Sequence, residues 1–139
     1  MACFSNISSN TTTNNNGTIA QLLKRIDQMQ KEAVIANATN QCDNCMMSAM
    51  YNTKPIAIYI CCNGARFSAP AGETGAEANL FRVEEVRNDE TVVLRLLVND
   101  GGTGETTCTN YTIVVRISCI GAVQCFEPIN CETLCSQII

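Results

Sequence analysis

Cysteine offers this chain most of its chemistry: ten stand among 139 residues, at positions 3, 42, 45, 61, 62, 108, 119, 125, 131 and 135. Thiols at such density ligate metals, exchange electrons as a redox pair, or cross-link. Cys42 and Cys45 form a CxxC, and with the adjacent Cys61 and Cys62 they could supply four thiolates; Cys119, Cys125, Cys131 and Cys135 could supply four more. The Cys61-Cys62 pair lacks two intervening residues, however, and the C-terminal spacings match no common zinc ribbon or knuckle. A small cysteine-thiolate zinc-binding module therefore stands as the alternative reading. A catalytic CxxC opens a helix after a strand, whereas Cys42 follows a polar Asn/Thr segment. The remaining use is disulfides, within the chain and between chains. Cys3 in a polar arm, Cys108 in a glycine-rich loop, and Cys131 and Cys135 near the last residue lie where packing would not hide them, and these four are the predicted intermolecular cross-links. Cys42, Cys45, Cys61, Cys62, Cys119 and Cys125 are predicted to be internal or buried. For Cys119 the reason is strand alternation, which puts it on the face of Val115 and Ile117.

Histidine is absent. That excludes Ser/His/Asp and Cys/His nucleophile pairs, Cys2His2 fingers and the HExxH helix. Glu84-Glu85 and Asp89-Glu90 are adjacent acids that face opposite ways on a strand or sit in a turn, so a glycosidase pair is not expected. Gly101, Gly102 and Gly104 fit neither a Walker loop nor a dinucleotide fingerprint, and Met46, Met47 and Met50 read as gap-filling apolar residues. No enzyme activity and no cofactor are expected. A net charge of −4 and a pI near 4.7 have the wrong sign for nucleic acid or anionic lipid. No apolar run reaches the roughly 18 residues that span a bilayer, so membrane insertion is not expected, and the N-terminus carries no signal-peptide pattern. The Asn-x-Ser/Thr sequons are accordingly read as unused.

The elements that must position these cysteines follow from hydrophobic period. Residues 1–17 are a flexible polar arm of Ser, Asn and Thr, too poor in apolar surface to order itself. From Thr18, taken as an N-cap, Ile19, Leu22, Leu23, Ile26, Met29, Ala33 and Val34 recur at helical spacing, which predicts one amphipathic helix over 18–37. Residues 38–139 form a cysteine-rich β-domain, where the period becomes 2. Ile56 to Cys62, Phe81 to Val86, Val92 to Val98 and Tyr111 to Cys119 are strands, with Ala65 to Ala69 and Ala122 to Phe126 as shorter ones. Asn63-Gly64 and Arg87-Asn88-Asp89-Glu90 are turns, and 99–110 is a loop. The fold class predicted is mainly β, an antiparallel β-sandwich-like single domain with one N-terminal amphipathic helix.

Several segments, taken in order, resemble the CotY/CotZ family of bacterial spore coat proteins, which includes ExsY of the exosporium. They are the helix with Cys42-x-x-Cys45, the stretch Asn52-Thr53-Lys54-Pro55-Ile56-Ala57-Ile58-Tyr59, the segment Phe81-Arg82-Val83-Glu84-Glu85-Val86 with Val93-Leu94-Arg95-Leu96-Leu97, and the closing Ile117-Ser118-Cys119-Ile120-Gly121-Ala122-Val123-Gln124-Cys125. The resemblance covers roughly residues 19–130. The chain departs from the family pattern at Gly121, where a middle cysteine is usual, in the short loop before Cys108, and in Cys131 and Cys135 beyond the usual end. What the resemblance implies is a structural protein of the spore surface, in the coat, crust or exosporium basal layer, made in the mother-cell cytoplasm. It would assemble with itself into ring-based, often hexagonal lattices, would meet related spore coat proteins, and would gain disulfide cross-links late, when the finished layer meets oxidant.

Overall fold

The computed structural model describes residues 17–39, 51–72, 76–99 and 104–131. The polar segment 1–16, Met46, Met47 and Met50, and the cysteines Cys3, Cys42, Cys45 and Cys135 lie outside the described residues.

The chain is one mainly β domain, with one α-helix among the described residues. Helix α1 spans Gly17–Thr39, so Thr18 lies inside its first turn rather than capping it. Its buried stripe is Ala20, Leu23, Ile26, Gln30 and Ala33, at spacings of three and four. Leu22 and Met29, which the sequence pattern places on that stripe, are 37% and 50% exposed. The stripe is narrower than expected, and a glutamine completes it.

Among the described residues seven strands follow: β1 (Ile56–Ile60), β2 (Ala69–Pro70), β3 (Glu77–Ala78), β4 (Leu80–Arg87), β5 (Thr91–Asn99), β6 (Thr106–Arg116) and β7 (Ile120–Cys125). Five of them form one antiparallel sheet in the order β6-β5-β4-β1-β7, while β2 and β3 make a small antiparallel ribbon. The main core joins Ala20, Leu23 and Ile26 of α1 and Ala69, Ala71 and Ala78 of the ribbon to Ile56, Ile58, Phe81, Val83, Val92, Leu94 and Leu96 of the sheet. The layer opposite the sheet is thus built from the helix and the small ribbon. Leu97, the next residue along β5, points the other way and packs with Leu80, Cys108, Ile129 and Cys131 in a second cluster. The middle of β5 is consequently buried on both faces.

Turn chemistry lies where the sequence puts it. Asn88 and Asp89 take the left-handed region, φ 51° and 59°, between β4 and β5, a conformation their short polar side chains tolerate. At Asn63-Gly64 the amide of Ile60 donates to the carbonyl of Ala65, with Gly64 at φ 70°. Two segments differ from expectation. Thr106–Asn110 belongs to β6, so Cys108 is on a strand opposite Leu97 and not in a glycine loop. Residues Ile117–Cys119 leave the strand as a single 3-10 turn, which keeps Ile117 buried at 1% exposure and rotates Cys119 outward. Alternation cannot be carried through a change of backbone geometry.

Gly121 marks a register shift in the β1–β7 ladder, between Tyr59 and Ile60. A Cβ built there would lie 2.7 Å from the Cα of Cys61 and 2.8 Å from its Cβ, so backbone crowding accounts for glycine at this position. Gly121→Ala is expected to cost about 1–3 kcal/mol, since backbone must shift to admit the methyl group. Urea unfolding of the full chain checks this, and a cost near zero would mean that β1 and β7 separate freely. Among the described residues no helix is long and apolar enough to cross a membrane.

Candidate functional site

Two strand arginines, each flanked by apolar residues, define the polar centre of the domain. Arg82 in Phe81-Arg82-Val83 and Arg95 in Leu94-Arg95-Leu96 are direct partners across β4 and β5, and each is 5% exposed. Like charges directly opposite one another on a sheet repel. Glu84, the extra residue of a β-bulge between Val83 and Glu85, resolves the conflict. Its Oε2 accepts from Arg82 Nη1 at 2.9 Å and from Arg95 Nε at 2.8 Å. Burial holds the Arg82 guanidinium below its ordinary pKa, and the Glu84 carboxylate works against that shift, with Asp27 of α1 adding a smaller field of the same sign.

The remaining donors tie distant segments together. Arg82 Nε donates to Thr53 Oγ1 and Nη2 to the Asn52 carbonyl, while Arg95 Nη1 donates to the Thr109 carbonyl on β6. Asn52 then clasps the backbone of Cys131: its Oδ1 accepts from the Cys131 amide at 2.8 Å and its Nδ2 donates to the Cys131 carbonyl at 3.1 Å. Gln30 of α1 donates to the Val83 carbonyl and accepts from the Lys54 amide. Helix, sheet and the segment after β7 are joined by one buried, largely satisfied network.

That clasp explains the first correction to the cysteine assignments. Cys131 is 1% exposed, and it is bonded to Cys108 with the two Cα atoms 5.6 Å apart. Both were expected to be accessible for intermolecular links. Residues after β7 instead run back along the start of β1, through the reciprocal Thr53–Ile129 backbone pair, and deliver Cys131 to β6. The second correction concerns Cys119 and Cys125, expected to be internal or buried: both are free and exposed. Cys119 leaves its face at the 3-10 turn, and Cys125 ends an outermost strand of the sheet. Cys62 is exposed too, whereas Cys61 is disulfide-bonded and so holds no thiolate for a metal. Among the described residues no group of three or more His, Cys, Asp or Glu is arranged to hold a metal ion.

As chemistry, the buried centre is a structural staple. Each nitrogen of its guanidiniums named above has an acceptor, and Glu84 Oε2 is shared between two cations, so the carboxylate is spent on charge balance. Its signal in the sequence is a lone Arg inside each of two apolar strand runs, Phe81-Arg82-Val83 and Leu94-Arg95-Leu96. The reactive groups lie elsewhere, as thiols at the β7 side of the domain. A shallow cleft of about 550 Å³ lies there, lined by Tyr59, Cys61, Gly121, Ala122 and Gln124, with no carboxylate among its described walls. Compared with known proteins, the chain matches no family model, no curated protein and no solved structure.

Proposed function

We propose that this chain is a structural subunit of the bacterial spore surface, assembling with copies of itself and with related coat proteins into an ordered layer that disulfides later toughen. The observation that carries the assembly half of this reading is the pair of outermost strands. From Thr106 to Val115 along β6, and from Ile120 to Cys125 along β7, no charged residue and no proline occurs. Outermost strands are ordinarily guarded by Lys, Pro or cover, because their unpaired amides and carbonyls template further strands. Among the described residues the guard on β6 is a register shift opposite Leu96, and Tyr111 and Val114 stand 53% and 54% exposed. Such edges suit a protein that associates with itself.

The spore assignment rests on the resemblance alone, carried by the helix with Cys42-x-x-Cys45 and the segments 52–59, 81–86 with 93–97, and 117–125. A tough, cross-linkable block supports it: the buried staple and the internal disulfide stiffen one subunit, while Cys119 and Cys125 remain accessible for bonds to others. Sedimentation velocity of the full chain, first reduced and then oxidised, tests the assembly reading. Species larger than the monomer are expected in both states and should resist dilution only after oxidation. A monomer in both states would refute it.

A further inference from the structure

Two cysteines far apart in sequence meet at the corner where β1 ends and β7 begins. The amide of Cys61 donates to the carbonyl oxygen of Cys119 at 3.0 Å. That one bond limits how far apart the residues can be. Adding an N–Cα bond at one end and the span from carbonyl oxygen to Cα at the other places the two Cα atoms within about 7 Å, the reach of a disulfide. The 3-10 turn at Ile117–Cys119 does not loosen this limit, because the hydrogen bond is made to Cys119 itself. The Cys61 sulfur leans toward the same turn, with Sγ 3.6 Å from the Ser118 carbonyl oxygen. Gly121 keeps the corner tight, since a Cβ there would lie 2.7 Å from the Cα of Cys61.

The two sulfurs are in different states. Cys61 is disulfide-bonded, whereas Cys119 is a free, exposed thiol. Cys108 and Cys131 are bonded to each other, and Cys62, Cys119 and Cys125 carry thiols, so the cysteine bonded to Cys61 lies outside the described residues. A thiol held within bonding distance of a disulfide is placed for exchange with it.

We infer that Cys61 and Cys119 form a thiol–disulfide exchange site, at which Cys119 takes over the bond to Cys61 and releases the cysteine that now holds it. Cys119 gives its proton to solvent and its thiolate attacks Cys61 Sγ; the Cys61–Cys119 bond forms as the original S–S bond breaks, and the departing sulfur leaves as a thiolate that takes up a proton. One disulfide is broken and one is made, so neither an oxidant nor a reductant is consumed. What changes is which cysteine carries the thiol. The exchange takes place within one chain and does not rest on the assembly reading.

The other described thiols fit less well. Cys125 is the register partner of Ile56, and roughly 16 Å of strand separates that end of β1 from Cys61. Cys62 adjoins Cys61 through one trans peptide, which fixes their Cα atoms about 3.8 Å apart, short of the ~4.4 Å at which disulfides ordinarily begin.

The test is anaerobic incubation of the oxidised full chain, without added thiol, at about pH 8.5, where an ordinary thiol is half ionised. Aliquots are quenched in acid, alkylated with N-ethylmaleimide, digested without reduction and mapped by mass. A peptide joining Cys61 to Cys119 should accumulate at a rate independent of chain concentration. Alkylation of Cys119 should fall as alkylation appears at a cysteine that began in the Cys61 disulfide, with the number of thiols per chain constant. Cys119→Ser should lose both the linked peptide and the newly alkylated site, while Cys125→Ser should exchange at the parent rate. Absence of the Cys61–Cys119 peptide from the parent, its formation only with the loss of two thiols per bond, a rate that rises with chain concentration, or the same newly alkylated site in Cys119→Ser would each overturn the inference. Sedimentation of the same samples keeps the two readings apart. Large species without this peptide would strike the exchange and leave the assembly reading standing, and a monomer that forms the peptide would do the reverse.

Discussion

Glu84→Gln is expected to destabilise the folded chain by about 3–5 kcal/mol, because it removes one charge of a buried ionic cluster and leaves its partners uncompensated. The Glu84 side chain is 20% exposed and those of Arg82 and Arg95 are 7% and 6%, so water cannot replace the lost carboxylate. Gln keeps the shape and one acceptor oxygen yet supplies no charge, leaving two guanidiniums as direct cross-strand partners. Arg95→Leu in the same chain removes that repulsion and adds an apolar side chain between Leu94 and Leu96. The double variant should therefore be more stable than Glu84→Gln alone, and the coupling read from the four-member cycle should exceed about 1 kcal/mol. Urea unfolding monitored by circular dichroism gives each value. An additive cycle would mean that Glu84 balances neither arginine.

Loss of the Cys108–Cys131 bond should cost roughly 3 kcal/mol, the chain-entropy value for a loop of this size. The bonded residues are 23 apart in sequence and join β6 to the segment after β7, beside the small cluster around Leu97. Cys108→Ala with Cys131→Ala keeps both positions apolar and isolates the covalent contribution. Thermal unfolding of this variant should come at a lower temperature than that of the oxidised parent, with the Cys61 disulfide kept in both, and its association with other copies should be unchanged. If the variant unfolds as the parent does but forms fewer cross-linked oligomers, then these two cysteines serve between chains and not within one.

The contrast between what the sequence discloses and what it hides follows from the range of each signal. Helix α1 and the strands β4 and β5 are legible because periodicity is a local property: Phe81 and Val83, and Val92, Leu94 and Leu96, each repeat at two residues over an uninterrupted strand. The Asn88-Asp89 turn is legible from residue chemistry alone. Cys119 was misplaced because alternation was extended across three residues where the backbone winds into a 3-10 turn. Cys131 was misplaced for a different reason. Phe126-Glu127-Pro128-Ile129-Asn130 has no period, and its docking depends on Asn52, 79 residues earlier in the chain. Long-range clasps of this kind leave no mark in the residues that they hold. The arginine pair lies between these cases: its residues are conspicuous, but their burial depends on cover from residues 52–53 and 129–131, which packs over the face of β5 that simple alternation assigns to solvent.

Self-assembly is the claim on which the functional reading turns, and electron microscopy of the purified full chain, with and without reductant, tests it most directly. Ordered sheets or closed rings are expected under both conditions, with oxidation making them persist through heat or denaturant that disperses the reduced form. Cross-links then follow an order already set by non-covalent contact. Fields of isolated particles the size of one 15.1 kDa chain, at high concentration and after oxidation, would contradict the account.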